Sequence, residues 1–205
     1  MLEAADLECE RGGRILFRGL SLALRAGEAL RVAGPNGSGK TSLLRILCGL
    51  LTPTAGEVRW RGAAIGSLRE EFYREILYLG HAPAVKDDLT AAENLSITCA
   101  LAGLAAGDES VRAALERYGL AGSDAPVKKL SQGQRRRAAL ARLALSEAAP
   151  LWLLDEPFVA LDAAAVELTR TLIRGHVARG ATVVYTTHQE DGLPGSRVLD
   201  LGPAP

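Results

Sequence analysis

The chain has 205 residues, of which 48% are hydrophobic and 23% are charged. This composition is that of a globular domain with a sizeable core, and it excludes intrinsically disordered and fibrous proteins. Lys plus Arg and Asp plus Glu both number 24, so the formal net charge is zero and no overall basic field is available to hold a nucleic acid. The length favours a single domain over residues 1–205 with one site.

The start of the chain and its cysteines indicate a compartment. The first residues are acidic where a secretory signal peptide would be basic, and no run of about 18 apolar residues occurs. Cys9, Cys48 and Cys99 are widely separated without CxxC spacing, as is typical of buried thiols in a reducing compartment. We therefore expect a cytoplasmic chain without a signal peptide or a membrane span.

The first third of the chain predicts strands and then a strand, a loop and a helix. Short alternating apolar runs in residues 2–33, separated by glycine-containing turns, favour antiparallel strands. The run Ala29–Ala33 leads into a glycine-rich loop. Apolar residues then recur at helical spacing as far as Leu51, and Thr52-Pro53 should end that helix.

The rest of the chain predicts helices and then buried strands. Residues 86–149 hold several helical patterns without strand signals, which predicts a helical subdomain at about 86–140. Apolar strands at Leu151–Asp155 and Ala181–Tyr185 follow, with a helix from about Ala163 to Arg179 between them. Strands that alternate with helices indicate a parallel sheet.

The glycine-rich loop matches the phosphate-binding P-loop pattern, GxxxxGK followed by Ser or Thr, between a strand and a helix. Its glycines turn backbone N–H groups towards anionic oxygens, and the helix adds its positive end. Lys40 should reach the β- and γ-phosphates, and the Thr41 hydroxyl should bind Mg²⁺. An ordinary glycine-rich turn is the alternative. The predicted nucleotide-binding residues here are Gly34, Pro35, Asn36, Gly37, Ser38, Gly39, Lys40, Thr41 and Ser42.

Two carboxylates, Asp155 and Glu156, end the first of the two later strands. Burial of that strand would place both at its carboxyl end beside the P-loop. We expect Asp155 to hold Mg²⁺, directly or through water, and Glu156 to polarise an attacking water. The alternative is a strand that ends in a solvated acidic turn.

A second anion-binding cap is predicted at Leu130-Ser131-Gln132-Gly133-Gln134, immediately before a helical run from Arg135 to Leu145. Ser131 and the N–H of Gly133 would cap that helix, and a plain helix cap is the alternative. Because the chain already has one phosphate cradle, this second one makes sense if it closes over a nucleotide that another copy holds.

The order of these motifs resembles that of ATP-binding cassette (ABC) ATPases over nearly the whole chain, with Gln132 at the third position of their LSGGQ signature. The resemblance implies an α/β fold: a P-loop (RecA-like) parallel-sheet core with an N-terminal antiparallel β-subdomain and an inserted α-helical subdomain. It implies ATP and Mg²⁺ as cofactors. It also implies a head-to-tail homodimer, in which Ser131, Gly133 and Gln134 of one copy complete the P-loop site of the other.

The same resemblance assigns further roles. Glu156, Lys40 and His188 would be catalytic, with His188 as the switch histidine that contacts the γ-phosphate, although a lone histidine at a strand end is more often structural. Asp162 would lie in the D-loop at the dimer interface, or it could simply cap the next helix.

Two positions depart from the family. Arg11 stands where many members have an aromatic residue that stacks on adenine, and Phe17 is the nearest aromatic residue. Arg11 could stack through its guanidinium plane or be a solvated surface residue. His81 stands where the family usually has the Q-loop glutamine.

The segment from Gly80 to Leu95 resembles the ATPase subunits of haem exporters in cytochrome c maturation. This implies a polytopic membrane subunit, haem-handling maturation proteins as partners and a peripheral place on the cytoplasmic face of the bacterial inner membrane. ATP hydrolysis would then be coupled to haem delivery or to release of a loaded haem chaperone. The alternatives are the ATPase of another ABC exporter, a non-hydrolysing assembly module, a P-loop kinase and a soluble two-cassette ABC protein.

The tract Arg135-Arg136-Arg137 could suggest a nucleic-acid surface. On a chain of zero net charge, three basic residues that open a helix are usually a solvated or dimer-facing edge. We therefore expect no nucleic-acid partner.

Overall fold

A computed structural model describes residues 1–122, 124–187 and 193–203. The strands are β1 (Leu2–Arg11), β2 (Arg14–Leu24), β3 (Ala29–Ala33), β4 (Ala55–Trp60), β5 (Ala63–Ala64), β6 (Ile76–Leu79), β7 (Leu151–Leu154), β8 (Thr182–Thr186) and β9 (Arg197–Asp200). The helices are α1 (Lys40–Leu47), α2 (Ile65–Arg74), α3 (Ala91–Leu101), α4 (Asp108–Arg117), α5 (Gln132–Leu140) and α6 (Ala163–Ala178). Short 3-10 turns cover Val127–Lys129 and Ala141–Leu145.

The chain divides into two compact units. The first comprises Met1–Tyr78, Ala149–Glu156 and His176–Pro205, and the second comprises Leu79–Ala148 and Pro157–Gly175. Both sheets lie in the first unit, except for Leu79 at the end of β6, and the helices α3, α4 and α5 lie in the second. The stretch 86–140, predicted as a helical subdomain, falls within the second unit.

An antiparallel sheet with the strand order β2-β1-β4-β5 opens the first unit. β1 pairs with β2 on one side and with β4 on the other, so that Glu3 lies opposite both Ala23 and Arg59. The predicted antiparallel β-subdomain is confirmed. The sequence patterns did not predict β4 and β5, which follow the P-loop helix and return to the edge of β1.

A parallel sheet with the order β6-β7-β8-β3-β9 forms the core of the same unit. The four residues Leu151–Leu154 of β7 are completely buried, because a strand inside a parallel sheet is covered on both faces. The apolar side of α1, which includes Leu43 and Leu47, belongs to the same hydrophobic cluster as β7 and β3. The predicted α/β fold is confirmed.

Helix α1 ends four residues earlier than the apolar spacing predicts. Gly49 adopts a φ of 75°, and its N–H donates to the carbonyl of Ile46 while the N–H of Leu50 donates to that of Arg45. This pair of bonds is the Schellman ending, which satisfies the last carbonyls and reverses the chain. The prediction that the helix runs to Leu51 is therefore wrong.

Two other helices test the predicted bounds. α6 runs from Ala163 to Ala178, within one residue of the prediction. α5 begins at Gln132 and ends at Leu140, where the chain tightens into a 3-10 turn up to Leu145. The predicted single helix from Arg135 to Leu145 is therefore wrong at both its start and its form.

Candidate functional site

The loop between β3 and α1 has the backbone conformation of a phosphate cradle. Gly34 and Gly39 have φ values of 141° and 97°, which residues with a Cβ rarely adopt. A Cβ on Gly34 would lie 2.6 Å from the Oγ of Ser38, and a Cβ on Gly39 would lie 3.1 Å from the Cβ of Leu16. The tight turn therefore requires glycine at both positions.

Two buried polar side chains belong to this loop. The Nζ of Lys40 donates hydrogen bonds to the carbonyl oxygens of Gly34 at 2.8 Å and Pro35 at 2.9 Å. The Oγ of Ser38, a residue that is 1% exposed, has no hydrogen-bond partner among the described residues. An ammonium group held at the loop and a buried hydroxyl with bonding capacity to spare fit the anionic oxygens of a phosphate.

The first turn of α1 carries the next two predicted residues, Thr41 and Ser42. Both side chains are half-buried, and their predicted contacts with Mg²⁺ and a nucleotide stay predictions. Burial raises the pKa of the Cys9 thiol of β1.

Asp155 and Glu156 follow β7 and are 1% and 6% exposed, so the alternative of a solvated acidic turn is wrong. The Thr186 hydroxyl, at the end of β8, accepts a hydrogen bond from the N–H of Glu156 and donates one to the Oδ1 of Asp155, both at 2.8 Å. Glu156 has a φ of 53°, which is uncommon for a residue other than glycine. Thr186 thus holds both acidic residues in one arrangement.

The P-loop, Thr186 and Asp155 share one edge of the parallel sheet. β8 lies between β3 and β7 and pairs in parallel with both, so the carboxyl ends of all three strands point the same way. Adjacent strands are about 4.8 Å apart, which sets β3 and β7 roughly 10 Å from each other. Thr186 therefore stands between the P-loop strand and the strand of the acidic pair. The sequence did not predict this role of Thr186, because it has no local pattern.

The oxygen ligands at this edge fit Mg²⁺. Thr41 offers a hydroxyl and Asp155 a carboxylate, and Mg²⁺ is usually held by one or two protein oxygens together with phosphate oxygens and water. No cluster of three or more His, Cys, Asp or Glu side chains suited to a metal occurs in the described ranges. Thr41 and Asp155 therefore suit a magnesium ion that phosphate oxygens of a nucleotide also hold.

The Ser131 loop belongs to the second unit. The Ser131 Oγ accepts a hydrogen bond from the N–H of Gln134 at 3.2 Å, and the Gln134 Oε1 accepts one from the N–H of Ser131 at 2.9 Å. This capping box satisfies the N-terminus of α5. A Cβ on Gly133 would lie 3.0 Å from the carbonyl oxygen of Ala160. Glycine at this position therefore lets the backbone at Ala160 approach the start of α5 closely.

Asp162 caps α6. Its Oδ1 accepts a hydrogen bond from the N–H of Ala165 at 2.8 Å, and its Oδ2 lies 3.7 Å from the Arg137 guanidinium. The cap that the sequence offered as the alternative reading is therefore present. Its D-loop role at a dimer interface stays a prediction.

The arginine tract at the start of α5 is engaged within the chain. Arg135 donates to the carbonyls of Lys128 and Leu130. Arg136 is buried and donates to the carbonyls of Gly80 and His81, while Arg137 donates to that of Tyr118. The expectation of a solvated edge is wrong for Arg136, because that guanidinium is used inside the fold.

The remaining predicted residues differ in their exposure to solvent. Phe17 is 5% exposed and packs against Gly39, so its ring is part of the core. Arg11 is exposed at the end of β1 and lies close enough to Cys9 to lower the pKa of that thiol, against the larger effect of burial. The His81 side chain is exposed, whereas His188 lies outside the described residues.

No helix in the described part of the chain is long and apolar enough to cross a membrane. This finding concerns the helices of residues 1–122, 124–187 and 193–203 only.

Comparison with solved structures supports the fold. The chain has a TM-score of 0.85 and 26% identity to a bacterial ABC transporter cassette solved as a dimer, over 98% of this chain and 94% of that one. It has a TM-score of 0.84 and 26% identity to a dimeric ATP-binding cassette in a post-hydrolysis state with ADP and Pi, with the same coverage.

The chain is more similar in sequence to curated proteins than to these solved structures. A family profile described as ABC transporter matches residues 17–159. The cytochrome c biogenesis ATP-binding export protein CcmA of Aromatoleum aromaticum is 58% identical over 93% of this chain and 89% of its own length. The protein of that name from Dechloromonas aromatica is 52% identical over 98% of both chains. The chain therefore belongs to the ABC transporter ATP-binding proteins and, within them, to the cytochrome c biogenesis ATP-binding export proteins.

Proposed function

We propose that this ATPase binds Mg-ATP at the P-loop and that its hydrolysis powers haem delivery, or release of a haem-loaded chaperone, in the assembly of c-type cytochromes. The observation that carries the ATPase chemistry is the buried Asp155–Glu156 pair, which Thr186 holds at the same sheet edge as the P-loop. The cytochrome assignment is supported by relatives of 50–58% identity that carry that name.

The proposed chemistry assigns one role to each group. The loop N–H groups and Lys40 bind the β- and γ-phosphates, and Thr41 and Asp155 hold Mg²⁺, which neutralises phosphate charge when bound. Glu156 accepts the proton of the attacking water, and its burial keeps bulk water from competing for the carboxylate. His188 is proposed to contact the γ-phosphate.

The proposed active species is a homodimer. Each ATP would lie between the P-loop of one copy and the Ser131, Gly133 and Gln134 residues of the other, where the positive end of α5 favours a phosphate. Support comes from the solved cassettes of similar fold, which are dimeric. Because Ser131 and Gln134 already bond to each other, a phosphate would meet a preformed loop.

The proposed partners are a polytopic membrane subunit and haem-handling maturation proteins, and the proposed place is the cytoplasmic face of the bacterial inner membrane. The support is the relatives' description as export proteins, since transport of a cargo needs a membrane path. Haem would be cargo and not a bound cofactor of this chain.

The cytochrome assignment is tested in the host that makes this protein. Lys40→Ala removes the ammonium at the phosphate loop, so we expect b-type haem proteins to form normally while covalently attached c-type haem is lost. Haem-stained gels of membrane and periplasmic fractions measure both. Lys129→Ala, a change at an exposed lysine of the second unit, is the control and should leave c-type haem unchanged.

One result would show that the exported substrate is not haem. Undiminished c-type cytochromes in the Lys40→Ala host, together with loss of ATP hydrolysis by the purified variant, would overturn the haem assignment. The protein would then be the ATPase of an exporter with another substrate.

A further inference from the structure

Arg136 connects two segments of the second unit that are far apart in sequence. The residue lies in the first half of α5 and is 5% exposed. One nitrogen of its guanidinium, Nη1, donates to two consecutive backbone carbonyls, those of Gly80 and His81, both at 3.0 Å. The side chain of His81 itself is exposed.

Burial of a guanidinium is costly unless its donors are satisfied. These two carbonyls are neutral, so what they provide is a pair of charge-assisted hydrogen bonds, which are stronger than ordinary amide bonds. Two successive carbonyls can point at one nitrogen only if the peptide chain curves there. The contact therefore fixes the backbone conformation of the loop at His81 as well as its position.

The other end of this connection is the Ser131 loop. Ser131 caps α5, and Arg136 follows five residues later, about 7.5 Å along the helix axis. The capping box ties the first turn of α5 together at Ser131 and Gln134. A displacement of Ser131 therefore moves the first turns of α5 as a rigid body and carries Arg136 with it.

We propose that Arg136 is a positioning residue that couples the Ser131 loop to the loop at His81. This inference rests on the proposed function, in which a nucleotide held by the second copy binds at Ser131. When that nucleotide draws the N-terminus of α5 towards it, the guanidinium shifts the carbonyls of Gly80 and His81 and thereby reorients the exposed His81 side chain. Binding of a nucleotide at the Ser131 loop thus changes the conformation of the exposed loop at His81.

The experiment measures amide hydrogen exchange of the full-length chain with Mg-ATP as the probe. The parent protein is Glu156→Gln, which is designed to keep ATP bound. Peptides over residues 131–135 report the Ser131 loop, and peptides over residues 79–83 report the His81 loop. In the parent, we expect Mg-ATP to slow exchange about tenfold in both, the effect of a hydrogen bond to a charged group on local opening.

Removal of the guanidinium should separate the two responses. In the double variant with Arg136→Met, slowing at 131–135 should persist while slowing at 79–83 falls to less than about twofold, because the hydrogen bonds between the segments are gone. Arg136→Lys keeps a charge and several donors and should restore part of the response at 79–83. Arg112→Gln, at an exposed position of α4, should behave as the parent.

Each result decides the proposal. Equal slowing at 79–83 with and without Arg136 overturns the coupling, as does slowing confined to 131–135 in the parent. An absence of slowing at 131–135 in the parent overturns the composite site and the coupling with it. If Arg136→Met lowers the melting temperature too far for exchange measurements, the comparison of Arg136→Lys with the parent decides: a full response of the lysine variant at 131–135 with a reduced response at 79–83 supports coupling through the guanidinium, and identical responses in the two proteins oppose it.

Discussion

Thr186 shows how one hydroxyl organises the catalytic edge. It has one hydrogen to give and gives it to Asp155, while its oxygen accepts the N–H of Glu156. The loss of a hydrogen bond by a buried polar group costs about 1–3 kcal/mol. Thr186 therefore positions both the proposed metal ligand and the proposed base.

Replacement of Thr186 should lower the turnover rate by more than any accompanying loss of folding stability explains. We expect Thr186→Val to reduce kcat by roughly tenfold or more, the effect of about 1.4 kcal/mol of lost transition-state positioning, with little change in the KM for ATP. Phosphate release by the purified protein measures both constants. Thr182→Val is the matched control, because Thr182 is also buried on β8 but bonds to the carbonyl of Arg25 at the other end of the strand. If both variants lose kcat equally, the positioning role is wrong.

Glu156→Gln should keep ATP binding and lose hydrolysis. The change removes the group that accepts a proton while Lys40, Thr41 and Asp155 still bind Mg-ATP, so kcat should fall by about 10²–10⁴. The variant should also accumulate as an ATP-bound dimer, which size-exclusion chromatography with and without Mg-ATP detects. Phosphate release near the wild-type rate would remove Glu156 from its proposed role.

A buried pair of hydroxyls connects Tyr118, the residue that follows α4, with Thr169 of α6. The Tyr118 hydroxyl lies 3.1 Å from the Thr169 Oγ1, which donates its own hydrogen to the carbonyl of Ala165 at 2.7 Å. Tyr118 must therefore be the donor, and it can donate only while protonated. Burial raises the pKa of Tyr118 from its ordinary value of 10.0 to about 12.

This pair predicts an alkaline loss of stability. Because the folded pKa is raised, the contribution of Tyr118 is constant below about pH 10, where both states keep the proton, and declines towards pH 12, where the unfolded chain ionises first. The limiting slope is about 1.4 kcal/mol per pH unit. Urea unfolding of Tyr118→Phe should show a shallower decline between these pH values than the wild type. Tyr73→Phe, at a side chain that is 48% exposed, should not.

At the scale of the whole molecule, the two proposed halves of the ATP site belong to different copies. The P-loop and the acidic pair lie in the first unit, and the Ser131 loop lies in the second. A defect in each half is therefore expected to be complemented by the other copy in a mixed dimer.

Mixing Lys40→Ala with Ser131→Arg tests this arrangement. Each variant alone should be inactive, because every interface of its dimer contains a defect. The mixture should regain roughly a quarter of the wild-type activity, since about half of the dimers are mixed and each of these has one intact interface of two. Phosphate release and a tag-based measurement of mixed dimers are needed together. Mixed dimers without any activity would show that the sites are independent of the partner or strictly coupled.

The fold class and the P-loop could be predicted from local patterns along the chain. The P-loop spacing requires glycines where the backbone turns sharply, and the structure places Gly34 and Gly39 in conformations that residues with a Cβ rarely adopt. The apolar runs at β7 and β8 predicted a parallel sheet because strands covered on both faces must be apolar throughout. Both signals are local, so they can be read along the chain.

The contacts that join distant segments could not be predicted from the sequence, because they form only when the chain is folded. Neither the bond from Thr186 to Asp155 nor the contact of Arg136 with the loop at His81 has a spacing pattern, because strand order and helix docking create them. The predicted end of α1 is wrong for a related reason. Leu50 and Leu51 continue the apolar spacing, but Gly49 turns the chain and leaves Leu50 61% exposed. Periodicity records which residues are apolar, whereas the fold decides which of them find a partner.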